Sequence, residues 1–498
     1  MKLKFEPFYQ DYLNTLFAYN NAISTMYNDQ NTVAPKDGAL IANEAMAILQ
    51  REAFKIGRNP ETIAKIKEYE KQLPEGSLEK KEVQLRLKEL ADDEAIPVDF
   101  YMQMNKDRLD AGTYWHEAKE KSDYSIFRPY LEKTVNNTLK AMTYSPRYEP
   151  GKEYDFMLEQ FEPGMNQKEY DAFFEVIKKE LPELIEKVKA AKQIDDSPLS
   201  RKVDVKRQEA FNEYVLDVLK RDPRQVYMST TEHPYTDFLS SRDMRINTHY
   251  YEDRFLSAVL ATVHEYGHAL YGLQMDPDYA KTALVSTVGS GAHESQSRFL
   301  ENYIGRSKSF WKYLYPKLIE TAPELADVSL DDLVKMINVS VPGLVRTEAD
   351  ELTYPLHILI RYEIEKMMAA GEIDYDKLPE IWNDKYEQYL GIRPQNDKEG
   401  VLQDMHWSDG YLGYFPTYAL GSAYAAQIFE AMENELDVNA LLEEGRFEVI
   451  RDWLKENVQQ YGASMTMKEI VEKVSGKPFD PTIYTNYLKD KYTKLYNL

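Results

Sequence analysis

The chain has no cysteine among its 498 residues. No disulfide frames it, and any metal it holds must take His, Asp or Glu ligands. Histidine is scarce as well, at eight residues, so a suggestive spacing of two of them carries weight. Positive charge is in deficit: 61 Lys and Arg against 84 Asp and Glu leave a net charge of -23. Such a surface argues against nucleic acid and against anionic membranes as partners. No run of about 18 apolar residues occurs, so no membrane span is expected. Residues 1–7, Met-Lys-Leu-Lys-Phe-Glu-Pro, lack the apolar stretch of a signal peptide. The expected location is cytoplasmic.

Length alone suggests several domains, yet nothing resembles a linker. The turn-rich stretches at 149–153 and 195–200 are short and not low-complexity, and no internal repeat is evident. The expectation is a single unit over 1–498, with a helical N-terminal part (1–220) and a part carrying the chemistry (221–498). Helical periodicity predicts helices over 8–27, 39–56, 60–73 and 78–92, then over 101–142, 167–192 and 203–219. The charge-rich pair at 60–73 and 78–92 reads as solvated faces without chemistry. Strand character is confined to 225–251, and the pattern after residue 297 is helical again. The fold class is therefore mainly α: one large helical body with a small antiparallel β-sheet lining a deep groove.

The most informative stretch is His264-Glu265-Tyr266-Gly267-His268, inside an apolar run. Two histidines four apart project from one helical face and can close on one metal ion. The glutamate beside the first can reach a water held by that metal and take its proton. Phe255 through Val263 and Ala269 through Leu273 supply the apolar face of a core helix. A third ligand is needed. No His-x-x-Gly-x-x-His extension follows His268, which departs from the metzincin pattern. Glu294, 26 residues on and behind the turn Gly289-Ser290-Gly291, is the candidate. Arg298, four residues later, can orient it as a helical ion pair.

These motifs make the chain resemble the carboxypeptidase Taq family of metallocarboxypeptidases. In order they are His233-Pro234-Tyr235; Asp243-Met244-Arg245-Ile246-Asn247; the His264–His268 motif; His293-Glu294-Ser295-Gln296; Val345-Arg346-Thr347-Glu348-Ala349-Asp350; and Gly400-Val401-Leu402-Gln403-Asp404-Met405-His406-Trp407. A further segment, Tyr411 to Gly421, contains Tyr414 and Tyr418. Two positions depart from the family pattern. Tyr235 stands where phenylalanine is usual, and Asn247 where threonine is usual, with Thr248 following.

The resemblance implies a gluzincin-like catalytic unit that removes C-terminal residues from peptides with a free C-terminus, with broad specificity. Zn2+ would be held by His264, His268 and Glu294, with Co2+ as a substitute, since such a donor set does not exclude other metals. Glu265 is the expected general base, passing its proton on to the leaving amine. An oxyanion needs a further donor, and Tyr418 and His406 are the candidates, with Tyr414 as competitor. A free carboxylate is best gripped by an arginine fork. Arg346 is expected there, steadied by Asp350 at helical spacing. Arg245, with Asp243 on the same strand face, and His233 are further expected substrate contacts; His293 would touch substrate or support the metal. His116, His249 and His357 match no motif. The family also implies a homodimer. Two alternatives stay open from the residues themselves: an oligopeptidase or endopeptidase sharing the metal chemistry without the carboxylate clamp, and a non-enzymatic helical binding protein with a relic site.

Overall fold

The computed structural model describes residues 3–498, with backbone alone at 93 and 94. The periodic segments form the helices Pro7–Thr32, Ala39–Gly57, Pro60–Gln72, Leu78–Glu94, Gln167–Ala190 and Val205–Val218. The helical pattern over 101–142 resolves into two helices, Val98–Lys121 and Tyr124–Met142. Ser122 turns into the left-handed region (φ 52°), and Asp123 caps the second helix by accepting from Ser125 N at 3.0 Å. One large hydrophobic cluster runs from Ala111 to Tyr496, and a small separate one joins Tyr9, Tyr12, Leu13, Ile66, Tyr69 and Val83. Among the described residues, no helix is long and apolar enough to cross a membrane.

The strands are β1 (Val226–Thr230), β2 (Tyr235–Ser240) and β3 (Asp243–Thr248). Their order is β1-β3-β2, so the sheet is mixed and not the antiparallel one expected. β2 and β3 form a hairpin and pair antiparallel, with a bulge between Phe238 and Ser240. β3 is central, and β1 on its far side therefore runs parallel to it.

The helix Phe255–Gln274 packs between this sheet and the helix Ser290–Arg298. Two glycines permit the close approach. A Cβ on Gly267 would stand 2.6 Å from Gln296 O, and one on Gly272 would stand 2.6 Å from the Phe238 ring. The helix ends at Gln274, with Pro277 shortly beyond. Ser290–Arg298 continues as a π-helical stretch, Phe299–Gly305. The helix Pro416–Glu433 lies against it, and a Cβ on Gly421 would meet the Glu294 Cβ at 2.7 Å.

The expectation of helix throughout the chain after 297 fails over 391–415, where the backbone makes successive turns. Buried Glu365 organises them, accepting from Trp407 Nε1 (2.8 Å), Gly413 N (2.8 Å) and Tyr154 Oη (2.9 Å). Burial pushes its carboxyl up to about 7, with the three donors opposing. Local periodicity cannot reveal a loop stabilised by a side chain 42 residues away.

Candidate active site

A groove of about 910 Å³ opens between the sheet, the helix Phe255–Gln274 and the helices that follow. His264, Glu265, His268, His293 and Glu294 lie along one wall, with Tyr414, Thr417, Tyr418 and Arg346 among the residues lining the rest. His264, His268 and Glu294 each offer one ligand atom, all within 4.8 Å of one another. Glu294 Oε2 is 3.8 Å from His264 Nε2 and 3.6 Å from His268 Nε2. Ligands of one tetrahedral zinc stand roughly 3.4 Å apart given their ~2.1 Å bonds, so the donor set fits such an ion. The other Glu294 oxygen, Oε1, accepts from Arg298 Nε at 2.7 Å, as the spacing implied.

Behind the triad lies a polar shell. His264 Nδ1 is 2.9 Å from Glu301 Oε2, which places the proton on Nδ1 and leaves Nε2 to face Glu294. Glu301 also accepts from Arg298 Nη1 (3.0 Å) and Arg306 Nη2 (2.9 Å). Despite burial, those cations and His264 hold its carboxyl well below the usual range. Burial lowers the pKa of His264, but Glu294, Glu301 and Glu265 outweigh it and the net shift is upward. His268 goes the other way, held well below its ordinary value by burial and by His264, His293 and Arg298.

Glu265 faces the same groove. Its Oε2 accepts from Thr236 Oγ1 at 2.6 Å, and burial raises its pKa above the ordinary carboxylate value. The helix carrying Glu294 has glycine at its N-cap and no cap of its own. Glu162 supplies one from a distance: its buried carboxylate accepts from Gly291 N (2.8 Å) and Ala292 N (3.2 Å). A Cβ on Gly289 would fall 2.2 Å from Glu162 Oε2, so that glycine makes room for the cap.

Arg346 does not pair with Asp350. It begins a short 3₁₀ turn, Arg346–Glu348, and its Nε and Nη2 donate to Asp404 Oδ1 at 3.0 and 2.8 Å. Asp350 instead accepts from Leu352 N and Thr353 N. Asp404 grips Arg361 with its second oxygen, and despite burial the two arginines hold its carboxyl far below the usual range. Among the described residues, Arg346 Nη1 meets only Tyr354 Oη, at 3.4 Å. The Arg346 guanidinium also lies 5.2 Å over the Tyr418 ring.

Tyr418 lines the groove, and its hydroxyl donates to Tyr414 Oη at 3.5 Å. Burial and the neighbouring Tyr414 raise its pKa well above the phenol value, so it remains a proton donor. His406 is not on the groove wall. It sits behind Tyr414, ring centroids 5.6 Å apart, and against Phe415 at 4.5 Å. Burial lowers its pKa to about 4.

His233 lines the groove, but Arg245 and Asp243 do not. They pair with each other at 2.5 Å and border a separate shallow depression with Tyr227 and Arg224. Strand alternation put the two on one face correctly; Met244 and Ile246, buried on the opposite face, take the side toward the core. Sequence reasoning missed Thr236, Glu301, Glu162 and Tyr354; of these, Glu301 alone left a local trace, three residues beyond Arg298. Asp404 stood in a quoted motif, but its pairing with Arg346 was not expected.

The whole chain answers to one family model. Residues 8–492 match the carboxypeptidase Taq (M32) metallopeptidase family. The chain belongs to this family. It is thereby a metallopeptidase of the carboxypeptidase type. Among similar proteins, carboxypeptidase 1 of Bacillus subtilis (strain 168) is 39% identical over 500 residues, covering 99% of each chain. Thermostable carboxypeptidase 1 of Pyrococcus furiosus is 33% identical over 481 residues, 96% of each chain. The crystal structure of an M32 carboxypeptidase from Deinococcus radiodurans R1 superposes with a TM-score of 0.94 at 30% identity, covering 99% of this chain and 100% of that one.

Proposed function

We propose that this member of the family is a zinc carboxypeptidase that shortens peptides from a free C-terminus, with Glu265 as general base. The observation carrying the reading is the triad His264, His268 and Glu294 beside a half-anchored Glu265 in one groove. A bound zinc ion supplies Lewis acidity, polarising the scissile carbonyl and making a water a better nucleophile. Glu265 takes the proton of the attacking water at its free oxygen Oε1 and delivers it to the leaving amine. Tyr418 donates its phenolic hydrogen to the oxygen that gains negative charge, with Tyr414 beside it. His406 acts on this pair from behind, not on substrate. Arg346, steadied by Asp404, receives the terminal carboxylate through Nη1. His233 contacts the peptide backbone along the β2 side. Arg245 and Asp243, turned away from the groove, have no part in substrate binding.

The preference for zinc rests on two imidazoles and one carboxylate whose donor atoms lie within 4.8 Å of one another; Co2+ satisfies the same donors. The chain acts as one catalytic unit in the cytoplasm and forms a homodimer. Exposed apolar side chains support the dimer: Leu40, Ile41 and Ile48 on one helix, Val98, Met102 and Leu109 on another. The two helices meet at Phe54 and Tyr101, whose ring centroids are 5.8 Å apart. Exposed apolar side chains gathered on two helices that touch at one aromatic pair support an interaction face there.

The test is amino-acid release from an N-terminally blocked peptide by zinc-loaded protein and by Glu265→Gln. Stepwise C-terminal loss, abolished in a variant that still binds zinc, is the expected result. Internal cleavage by the parent chain would overturn the exopeptidase reading.

A further inference from the structure

Thr236 makes the one side-chain hydrogen bond to Glu265 among the described residues, and its geometry is double. Its Oγ1 lies 2.6 Å from Glu265 Oε2 and 3.0 Å from the main-chain oxygen of the same residue. A hydroxyl has one proton and donates to one acceptor at a time. We propose that Thr236 is a positioning residue whose hydroxyl holds Glu265 Oε2 and so leaves Oε1 turned toward the groove. The inference rests on Glu265 as general base.

While Glu265 is ionised, its carboxylate is the stronger acceptor, and the charge-assisted bond at 2.6 Å pins Oε2. Oε1 has no partner among the described residues and is the oxygen left to take a proton. The main-chain oxygen of Glu265, 3.0 Å from the same hydroxyl, keeps Thr236 close to the backbone of the metal helix as well as to the carboxylate. Thr236 keeps its own proton: the hydrogen taken from water is the one Glu265 delivers to the amine. The backbone supports this placement. Thr236 pairs with Ile246 across the β2–β3 hairpin, and Ile246 is buried in the main core. The hydroxyl is therefore carried by a strand that is tied into the core and packed against the metal helix.

Thr236 also borders the groove, so contact with substrate is the competing role. Thr236→Val keeps the shape and removes the donor; Thr236→Ser keeps the donor. The measurements are kcat and KM on a blocked peptide, and zinc affinity by competition with a chromophoric chelator. For Thr236→Val the expected result is a kcat lower by roughly 10- to 100-fold, the scale of misplacing a reacting group, with KM and zinc affinity unchanged. Thr236→Ser, retaining a hydroxyl, should stay within about threefold of the parent. An unchanged kcat in Thr236→Val overturns the proposal. So does a raised KM at constant kcat, which would make Thr236 a substrate contact, or a zinc affinity that falls in step with activity, which would make it scaffold. Glu265→Gln measured alongside separates the two layers. If it retains turnover, the base assignment fails whatever Thr236 does.

Discussion

The two nitrogens of His264 face different partners, and that division prepares the metal site before any ion arrives. Nδ1 meets Glu301 at 2.9 Å and Nε2 faces Glu294. Glu301→Gln is expected to weaken zinc binding by about 10- to 100-fold, the usual cost of losing a carboxylate behind a metal-bound histidine. Chelator competition at fixed pH measures it. At the opposite wall, Arg346→Ala is expected to raise KM by roughly 10- to 100-fold, matching the ~1.5–3 kcal/mol of a charged hydrogen bond. Arg361 keeps Asp404 paired in that variant, and zinc content should not change. The grouping of His264, Glu265 and His268 was legible because helical spacing puts the two histidines on one face; Glu294 was legible only as a glutamate on the helix that follows. Thr236, Glu301 and Asp404 were not, because each acts across a contact that only the tertiary fold creates. Arg245, expected at the substrate, borders a different depression: alternation says which strand residues share a face, not which face looks into the groove.

At the scale of elements, glycine contacts and one distant cap position the helix that carries Glu294. Gly267 and Gly421 bring a helix close on either side of it, and Glu162 closes its N-terminus. Gly267→Ala puts a methyl where Gln296 O and Ser297 Cα stand. The expected cost is ~1–3 kcal/mol of stability, as for other overpacked cores, together with weaker zinc binding as the two ligand-bearing helices separate. Thermal melts of apo and zinc-loaded protein read both effects. A variant whose apo form melts lower while its zinc affinity is unchanged would show that this contact serves the core alone. The long helices were legible from periodicity to within a few residues, whereas the parallel pairing of β1 with β3 was not. Three strands in succession suggest a meander, and only the packing of β3 against the metal helix puts it in the centre.

For the molecule as a whole, the triad joins the helix Phe255–Gln274 to the helix Ser290–Arg298, so metal occupancy and global stability should be linked. Free zinc at about 100 times its Kd stabilises a protein by ~2.7 kcal/mol, and a chelator is expected to lower the melting temperature accordingly. The first helix, Pro7–Thr32, is tied to the groove's edge strand through Asn21 to Leu239 O (2.7 Å) and Asn28 to Asp237 Oδ2 (2.8 Å). The N-terminal part, which showed no chemistry in its sequence, thus contacts the strand that carries Thr236. Hydrolysis is expected to require a free C-terminal carboxylate. Mass spectrometry of one N-acetylated peptide, as the free acid and as the C-terminal amide, tests it directly. The expected result is a ladder of C-terminal truncations from the acid and none from the amide. Equal trimming of both, or fragments from internal cleavage, would contradict the claim.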